Sequence, residues 1–306
     1  MTAGTAGGDA AEGLLLLVGT PIGNLGDMSD RARAALAEAD LICCEDTRRT
    51  RALLSAMEIS AKGPSGDRLL SVHEHNEVGR CSTVVDCVRG GGTVVVVSDA
   101  GLPGISDPGS LLVEAVANAG LRVSVVPGAS SVLAALVVSG LPTDRFCVEG
   151  FLPRKGTERR DRLRAAMGDE RTTVVLEAPG RLAATLADVA AIDAGRRVAV
   201  VRELTKVHEE VWRGGASAAA EAWAAREVRG EVVLVVAGAP PAGRVDDVTV
   251  DEAIRARLSE GSGEGTPEGP RQIAEALSVE LSVPRRRIYE AVLRIRAEEA
   301  EPHGQP

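Results

Sequence analysis

Thr93-Val94-Val95-Val96-Val97-Ser98 runs without a break into Asp99-Ala100-Gly101-Leu102-Pro103-Gly104-Ile105-Ser106-Asp107-Pro108-Gly109. The valine run reads as a strand buried on both faces, because β-branched side chains suit a pleated surface and no charge interrupts them. The residues from Asp99 onward cannot continue a strand. Their glycines let backbone atoms approach a ligand closely, and their prolines hold the loop in one shape. In open α/β sheets ligands bind where strands end in such loops. A stiff connecting loop would look the same in isolation, so the rest of the chain has to decide.

The same pattern recurs. Leu14–Val18 leads into Gly19-Thr20-Pro21-Ile22-Gly23-Asn24-Leu25, Leu41–Cys44 into Glu45-Asp46-Thr47-Arg48, and Leu69–Val72 into His73-Glu74-His75-Asn76-Glu77. Val123–Val126 leads into Pro127-Gly128-Ala129-Ser130-Ser131. Helical segments lie between these runs: Ser29–Ala39 with Ser29 as N-cap, Thr50–Met57, Glu77–Arg89 and Gly109–Ala119. Alternating strands and helices predict a mainly parallel sheet covered by helices. Five strands ending this way would place five polar loops on one sheet edge, where a site is built.

A second half repeats the theme less regularly, with strands at Thr172–Glu177, Arg197–Arg202 and Glu231–Ala237. Its helices are expected near Thr157–Met167, Arg181–Ala191 and Ala216–Arg226. The expected organisation is a leader without structure over residues 1–12, two α/β domains over 13–128 and 129–240, and a linker with one helix over 241–270. Residues 271–306 read as a helix-turn-helix-like appendage and tail, the helices meeting at Ser282-Val283-Pro284.

With 306 residues and 44% hydrophobic side chains the chain can fill two cores. Aromatic residues make up only 2%, which excludes nucleic-acid binding through stacking platforms. Five scattered cysteines fit neither a metal knuckle nor a disulfide framework, and point to a reducing cytoplasm. No apolar run is long enough to span a membrane. The net charge of −9 hides two basic segments: Arg154–Arg164 has six basic residues against two acidic, and Arg285–Arg296 five against one. Such patches can meet phosphate backbones, or can be no more than solvated helix faces.

Several signatures are absent: no dinucleotide fingerprint G-x-G-x-x-G, no Walker A, no G-x-S-x-G. His73 and His75, on a strand, would point to opposite faces, so no metal site is expected.

Taken together, Thr20–Leu25 (TPIGNL), Glu45–Arg48 with Thr50 (EDTRxT), His75–Glu77 (HNE), Ser98–Gly101 with Asp107–Gly109 (SDAG…DPG) and Pro127-Gly128 make a recognisable set. Gly140–Phe146 (GLPTDRF), Glu149–Lys155 (EGFLPRK) and Arg202–Lys206 (RELTK) complete it. The chain resembles the tetrapyrrole-methylase-like, class III S-adenosylmethionine methyltransferases. Within them it is similar to the ribosomal small-subunit methyltransferase I family. The resemblance implies two α/β domains with S-adenosylmethionine bound between them, and a homodimer. It also implies methylation of the ribose 2′-hydroxyl of a decoding-site cytidine (cytidine 1402) in 16S rRNA, within the small ribosomal subunit. Donor contacts would come from Pro21, Asp99, Ala100, Gly101, Pro103, Ile105, Ser130, Ser131 and Leu152. Two positions depart from the family pattern: Gly19 stands where a larger residue is expected, and Gly180 where a histidine is usual.

Methyl transfer from a sulfonium needs alignment above all, and a positioned base adds roughly 10²–10⁴-fold for a weak hydroxyl nucleophile. Glu45, Asp46, His75, Glu77, Glu177 and Glu203 are the candidates, with Glu45 and Asp46 first and Glu177 next. Arg48, His75, Asn76, Arg154, Lys155, Arg202 and Lys206 are the expected RNA contacts, with Arg285, Arg286 and Arg287 docking RNA from the appendage. A tetrapyrrole C-methyltransferase and a non-catalytic ribosome-binding factor are the rival readings.

Overall fold

The computed structural model describes residues 12–64, 66–240, 247–260, 268–281 and 283–300. The expected leader up to residue 11, parts of the linker, Ser282 and the end of the tail lie outside the described residues. The described residues up to Gly238 form one compact unit and those from Ala239 onward a second.

The first half of the larger unit follows the predicted alternation. Its elements are β1 (Leu14–Val18), α1 (Asp30–Glu38), β2 (Leu41–Cys44), α2 (Thr47–Ala56), a small hairpin of β3 (Lys62–Gly63) and β4 (Gly66–Asp67), β5 (Leu69–Ser71), α3 (Glu77–Arg89), β6 (Thr93–Val97), α4 (Ser110–Asn118) and β7 (Arg122–Val126). The sheet order is β5-β2-β6-β1-β7 with every pairing parallel. Alternate valines of β6 serve opposite faces. Val95 and Val97 pack with Leu36 and Leu54 under α1 and α2, whereas Val94 and Val96 pack with Val84, Leu112 and Val116 under α3 and α4. Burial on both sides explains the uninterrupted apolar run. Ser29 caps α1 as predicted, its hydroxyl accepting the Ala32 N–H. Helix α2 begins three residues earlier than expected because Asp46 caps it.

The second half comprises α5 (Ser131–Val138), β8 (Phe146–Phe151), α6 (Thr157–Gly168), β9 (Thr172–Glu177), α7 (Leu182–Ile192), β10 (Arg197–Arg202), β11 (Glu210–Gly215), α8 (Ala216–Trp223) and β12 (Val232–Val236). Its order is β11-β10-β12-β9-β8, and here the expectation of a mainly parallel sheet fails. Only β8 and β9 run parallel; β9, β12, β10 and β11 pair antiparallel. The reversal comes from β11, which the reading of the sequence missed. A short connection after β10 returns the chain alongside it, so the next strand runs the other way. β8 was also missed; its register shifts between Val148 and Gly150, and Gly150 has φ +62°.

In the smaller unit, α9 (Asp247–Glu260), α10 (Pro270–Glu280) and α11 (Arg285–Ala300) bury Ile254, Ile273, Leu277, Ile288 and Val292 in a core of their own.

Candidate active site

A parallel sheet puts the C-terminal ends of all its strands on one edge. The loops after β1, β2, β5, β6 and β7 therefore share one edge of the first sheet, as the strand endings predicted. Facing them are the ends of β8 and β9 and the start of β12, which antiparallel pairing brings to the same side. The cleft between contains adjoining cavities of about 440 and 290 Å³, sharing Ile22, Arg49, Asp99, Ala100 and Glu231. Thr20 stitches two of the loops together: its N–H donates to the Gly101 carbonyl at 2.9 Å and its carbonyl accepts the Gly101 N–H at 3.2 Å. Gly101 has φ +89°, a backbone state that a side chain disfavours.

The charged groups at this edge are not equivalent. Asp46 spends its carboxylate on α2: it accepts the Arg48 N–H at 2.8 Å and binds the Arg48 guanidinium at 2.7 Å. The hydrogen bond from the Arg48 side chain, then that from its backbone, holds the Asp46 carboxyl well below the usual range, which lowers its proton affinity. Asp99 accepts the Asp46 N–H at 3.2 Å and faces Arg49 at 3.3 Å. Glu45 is pushed up by burial and then by the Asp99 charge. Asp107 is raised to about 6, by burial first and the Glu45 charge second.

Glu177 borders the cleft, but its carboxylate is fully covered. Arg181 lies 2.6 Å away, the Thr185 hydroxyl donates at 2.6 Å and the Ala178 N–H at 2.8 Å. Arg181 in turn donates to the Leu152 carbonyl at 3.0 Å. The pair anchors the end of β8, so the expected action of Glu177 on a nucleophile gives way here to an anchoring geometry. Glu77 is likewise structural. Its Oε1 accepts the N–H groups of Gly109, Leu111 and Leu112 at 2.9, 2.9 and 3.3 Å, capping α4 and tying down the Asp99–Gly109 loop.

The histidine segment corrects a second expectation. His73 and His75 lie in a turn after β5, not on a strand, and their rings meet edge to face with centroids 6.1 Å apart. Asn76 holds that turn, accepting the His73 N–H at 2.9 Å and donating to the Ser71 carbonyl. Among the described residues no group of three or more His, Cys, Asp or Glu side chains could hold a metal ion.

The family profile of Tetrapyrrole (Corrin/Porphyrin) Methylases matches residues 14–220. Among solved structures, the methyltransferase CobJ superposes with a TM-score of 0.55 at 23% identity, covering 74% of this chain and 95% of that one. Diphthine synthase superposes equally well at 15% identity, covering 73% and 89%. These likenesses establish the fold. Ribosomal RNA small subunit methyltransferase I of Mycobacterium tuberculosis (strain CDC 1551 / Oshkosh) is 43% identical over 295 residues, covering 95% of this chain and 99% of that protein. Its namesake from Synechocystis is 41% identical over 289 residues, covering 94% and 99%. The chain belongs to the ribosomal RNA small subunit methyltransferase I family.

Of the donor contacts expected for a small subunit methyltransferase I, Asp99, Ala100, Ile105 and Ser131 line the larger cavity, and Pro21 the smaller. Gly101 and Pro103 are buried behind them, Ser130 caps α5, and the Leu152 side chain is in the second core. Small residues and backbone atoms on one wall, with a cavity large enough for a nucleoside and its tail, fit a donor of S-adenosylmethionine's size.

The expected RNA contacts divide. Arg154 and Lys155 are exposed just beyond Phe151 of the cleft wall, with no ion pair among the described residues. Arg48 faces Asp46, Arg202 pairs with Glu210 at 3.2 Å, and Lys206 bridges Glu203 and Glu231. In the smaller unit Arg285, Arg286 and Arg287 face Glu275, Glu290 and Asp247, so the basic run is balanced within that unit.

Both departures from the family pattern have a local account. A Cβ on Gly19 would lie 2.6 Å from the Gly128 Cα, so the ends of β1 and β7 touch backbone to backbone. A Cβ on Gly180 would meet nothing within 4 Å. The reading of the sequence missed Arg49, which lines both cavities, in favour of its neighbour Arg48. Recognising Asp46 as an N-cap would have found it, since the cap ties up Arg48.

Proposed function

We propose that this protein transfers a methyl group from S-adenosylmethionine to the ribose 2′-hydroxyl of a decoding-site cytidine in 16S rRNA, within the small ribosomal subunit. The observation that carries this reading is full-length similarity at above 40% identity to proteins named for small-subunit rRNA methylation, combined with a cleft lined by the expected donor loops. When bound, S-adenosylmethionine supplies an activated methyl group that needs no metal and no covalent enzyme intermediate.

The chain's own part is alignment. The stitched Thr20–Gly101 pair and the Glu77-capped loop hold one wall, and the Glu177–Arg181 pair holds the other through Leu152. Of the three carboxylates expected to act at the nucleophile, Glu45 alone is exposed at the cleft without a guanidinium held against it. Arg49, Arg154 and Lys155 are the cations placed to meet phosphates. The Arg285–Arg287 helix is retained as an RNA-docking element whose surface ion pairs are weak enough for phosphates to replace.

A homodimer is supported by exposed apolar side chains on the edge strands, Val125 of β7 and Phe146 and Val148 of β8, because uncovered sheet edges with apolar surface favour pairing. A reducing compartment agrees with five free cysteines, and no described helix is long and apolar enough to cross a membrane. A tetrapyrrole substrate fits less well, since a porphyrin-like ring calls for an apolar trough and this cleft carries Glu45, Arg49, Asp99, Asp107 and Glu231.

The test is direct. Purified small subunits lacking the modification are incubated with protein and donor, and ribose methylation is mapped by mass spectrometry. A new 2′-O-methylcytidine is the expected product. Methylation of a tetrapyrrole instead, or of nothing, refutes the reading.

A further inference from the structure

The acidic groups of the cleft differ in what balances them. Asp99 has Arg49 and the Asp46 N–H, Glu177 has Arg181, and Glu231 has Lys206 at 3.3 Å. Glu45 and Asp107 line the same cavity with no ion pair among the described residues. They come from different strand ends, β2 and β6, and only the tertiary fold brings them together.

The two are held differently. Glu45 is exposed, on a long side chain. Asp107 is half-buried, on a short one, in a loop fixed at both sides. The Pro108 carbonyl after it accepts the Gly104 N–H at 3.1 Å, and Gly109 is held by Glu77 at 2.9 Å. Ser106 before it sits at φ +61°, an unfavourable state for a residue with a side chain, which the surrounding loop enforces. A short carboxylate on a rigid loop is the better-positioned proton acceptor, because its rotamer freedom is small and its support does not move.

Resting on the proposed ribose methylation, we infer that Asp107 accepts the proton of the substrate 2′-hydroxyl, in the cavity that it lines together with Glu45. The hydroxyl oxygen forms a bond to the methyl carbon as the carbon–sulfur bond breaks. That bond's electron pair stays on sulfur, leaving a neutral thioether. The hydroxyl proton passes to an Asp107 carboxylate oxygen and then to water. Burial and the neighbouring charge put the Asp107 carboxyl at about 6, so it is ionised at neutral pH yet retains more proton affinity than a free aspartate. The other charges at the cleft are Arg49 with Asp99, Arg181 with Glu177 and Lys206 with Glu231; His73 acts on Glu45 from the turn after β5.

The experiment is single-turnover methylation of unmodified small subunits at saturating donor, from acid to mildly alkaline pH, with the intact protein, Asp107→Asn and Glu45→Gln. Calorimetry with S-adenosylhomocysteine checks donor binding in each. The parent rate should rise to a plateau with an inflection near the Asp107 value. Asp107→Asn should lower the plateau by roughly 10²–10⁴-fold and abolish the inflection, with donor affinity unchanged. Glu45→Gln should move the inflection to lower pH whatever it does to the plateau, which a structural role for Asp107 would not produce. Asp107→Asn within about threefold of the parent plateau, or an inflection that Glu45→Gln leaves in place, overturns the inference. A parent protein that binds the donor but leaves the subunit unmethylated overturns the underlying substrate reading, and the inference with it.

Discussion

Glu77→Ala tests how the donor loop is built. The Glu77 carboxylate is buried and takes three N–H groups at the start of α4 on one oxygen. These are donors that a helix cannot satisfy internally, at the end where its dipole favours negative charge. Removing a cap costs roughly 0.5–2 kcal/mol, and a buried polar group stripped of a charged partner roughly 1–3 kcal/mol. The two overlap, so about 2–3 kcal/mol is expected in total. For a unit of this size that is a fall in melting temperature of about 4–10 °C. Glu77→Gln keeps one carbonyl acceptor and should lose about half as much. Calorimetric melting of parent, Glu77→Gln and Glu77→Ala measures the series, and titration with S-adenosylhomocysteine should show weakened binding in the same order, because the loop that Glu77 pins lines the cleft. A Glu77→Ala protein within 1 °C of the parent, or one destabilised with undiminished donor affinity, would refute the capping account.

Other substitutions probe the charge, the close backbone packing and the basic surface. Asp107→Asn should stabilise the protein near neutral pH by about 1–2 kcal/mol after allowing for solvent screening. The sign comes from a folded value of about 6 above the unfolded one of roughly 3.9: ionisation opposes folding, so the gain appears as pH rises through that window and vanishes below it, as urea melts across pH would record. Gly128→Ala should cost about 1–3 kcal/mol, because its Cβ would sit 2.7 Å from the Gly19 Cα, whereas Gly180→Ala should stay within about 0.5 kcal/mol in the same melts. Arg154→Ala with Lys155→Ala should weaken subunit binding and flatten its log–log salt dependence by about 0.7–0.9 for each phosphate no longer neutralised; an unchanged slope would remove both from the RNA surface.

The sequence by itself determined the parallel half of the fold and its binding edge. Apolar runs closed by polar loops are local signals, and five of them imply one edge whatever the exact packing. Its motifs also carried the family. The direction of the second sheet was not legible: Val198–Val201 and Val232–Val236 are buried on both faces and look the same run either way. What sets their direction is the return through β11, where Glu210, Arg213 and paired glycines dilute the strand signal of Val211 and Trp212. Charge at the site was equally beyond local reading. Asp99 and Asp107 share one loop, yet Arg49 from α2 balances the first, and the second is left beside Glu45. Asp46 and Glu177 looked like reactive carboxylates until capping, Arg48 and Arg181 accounted for them. Residue type and spacing can nominate a carboxylate, but its proton affinity depends on which opposite charges the fold brings within a few ångströms, and only the tertiary structure decides that.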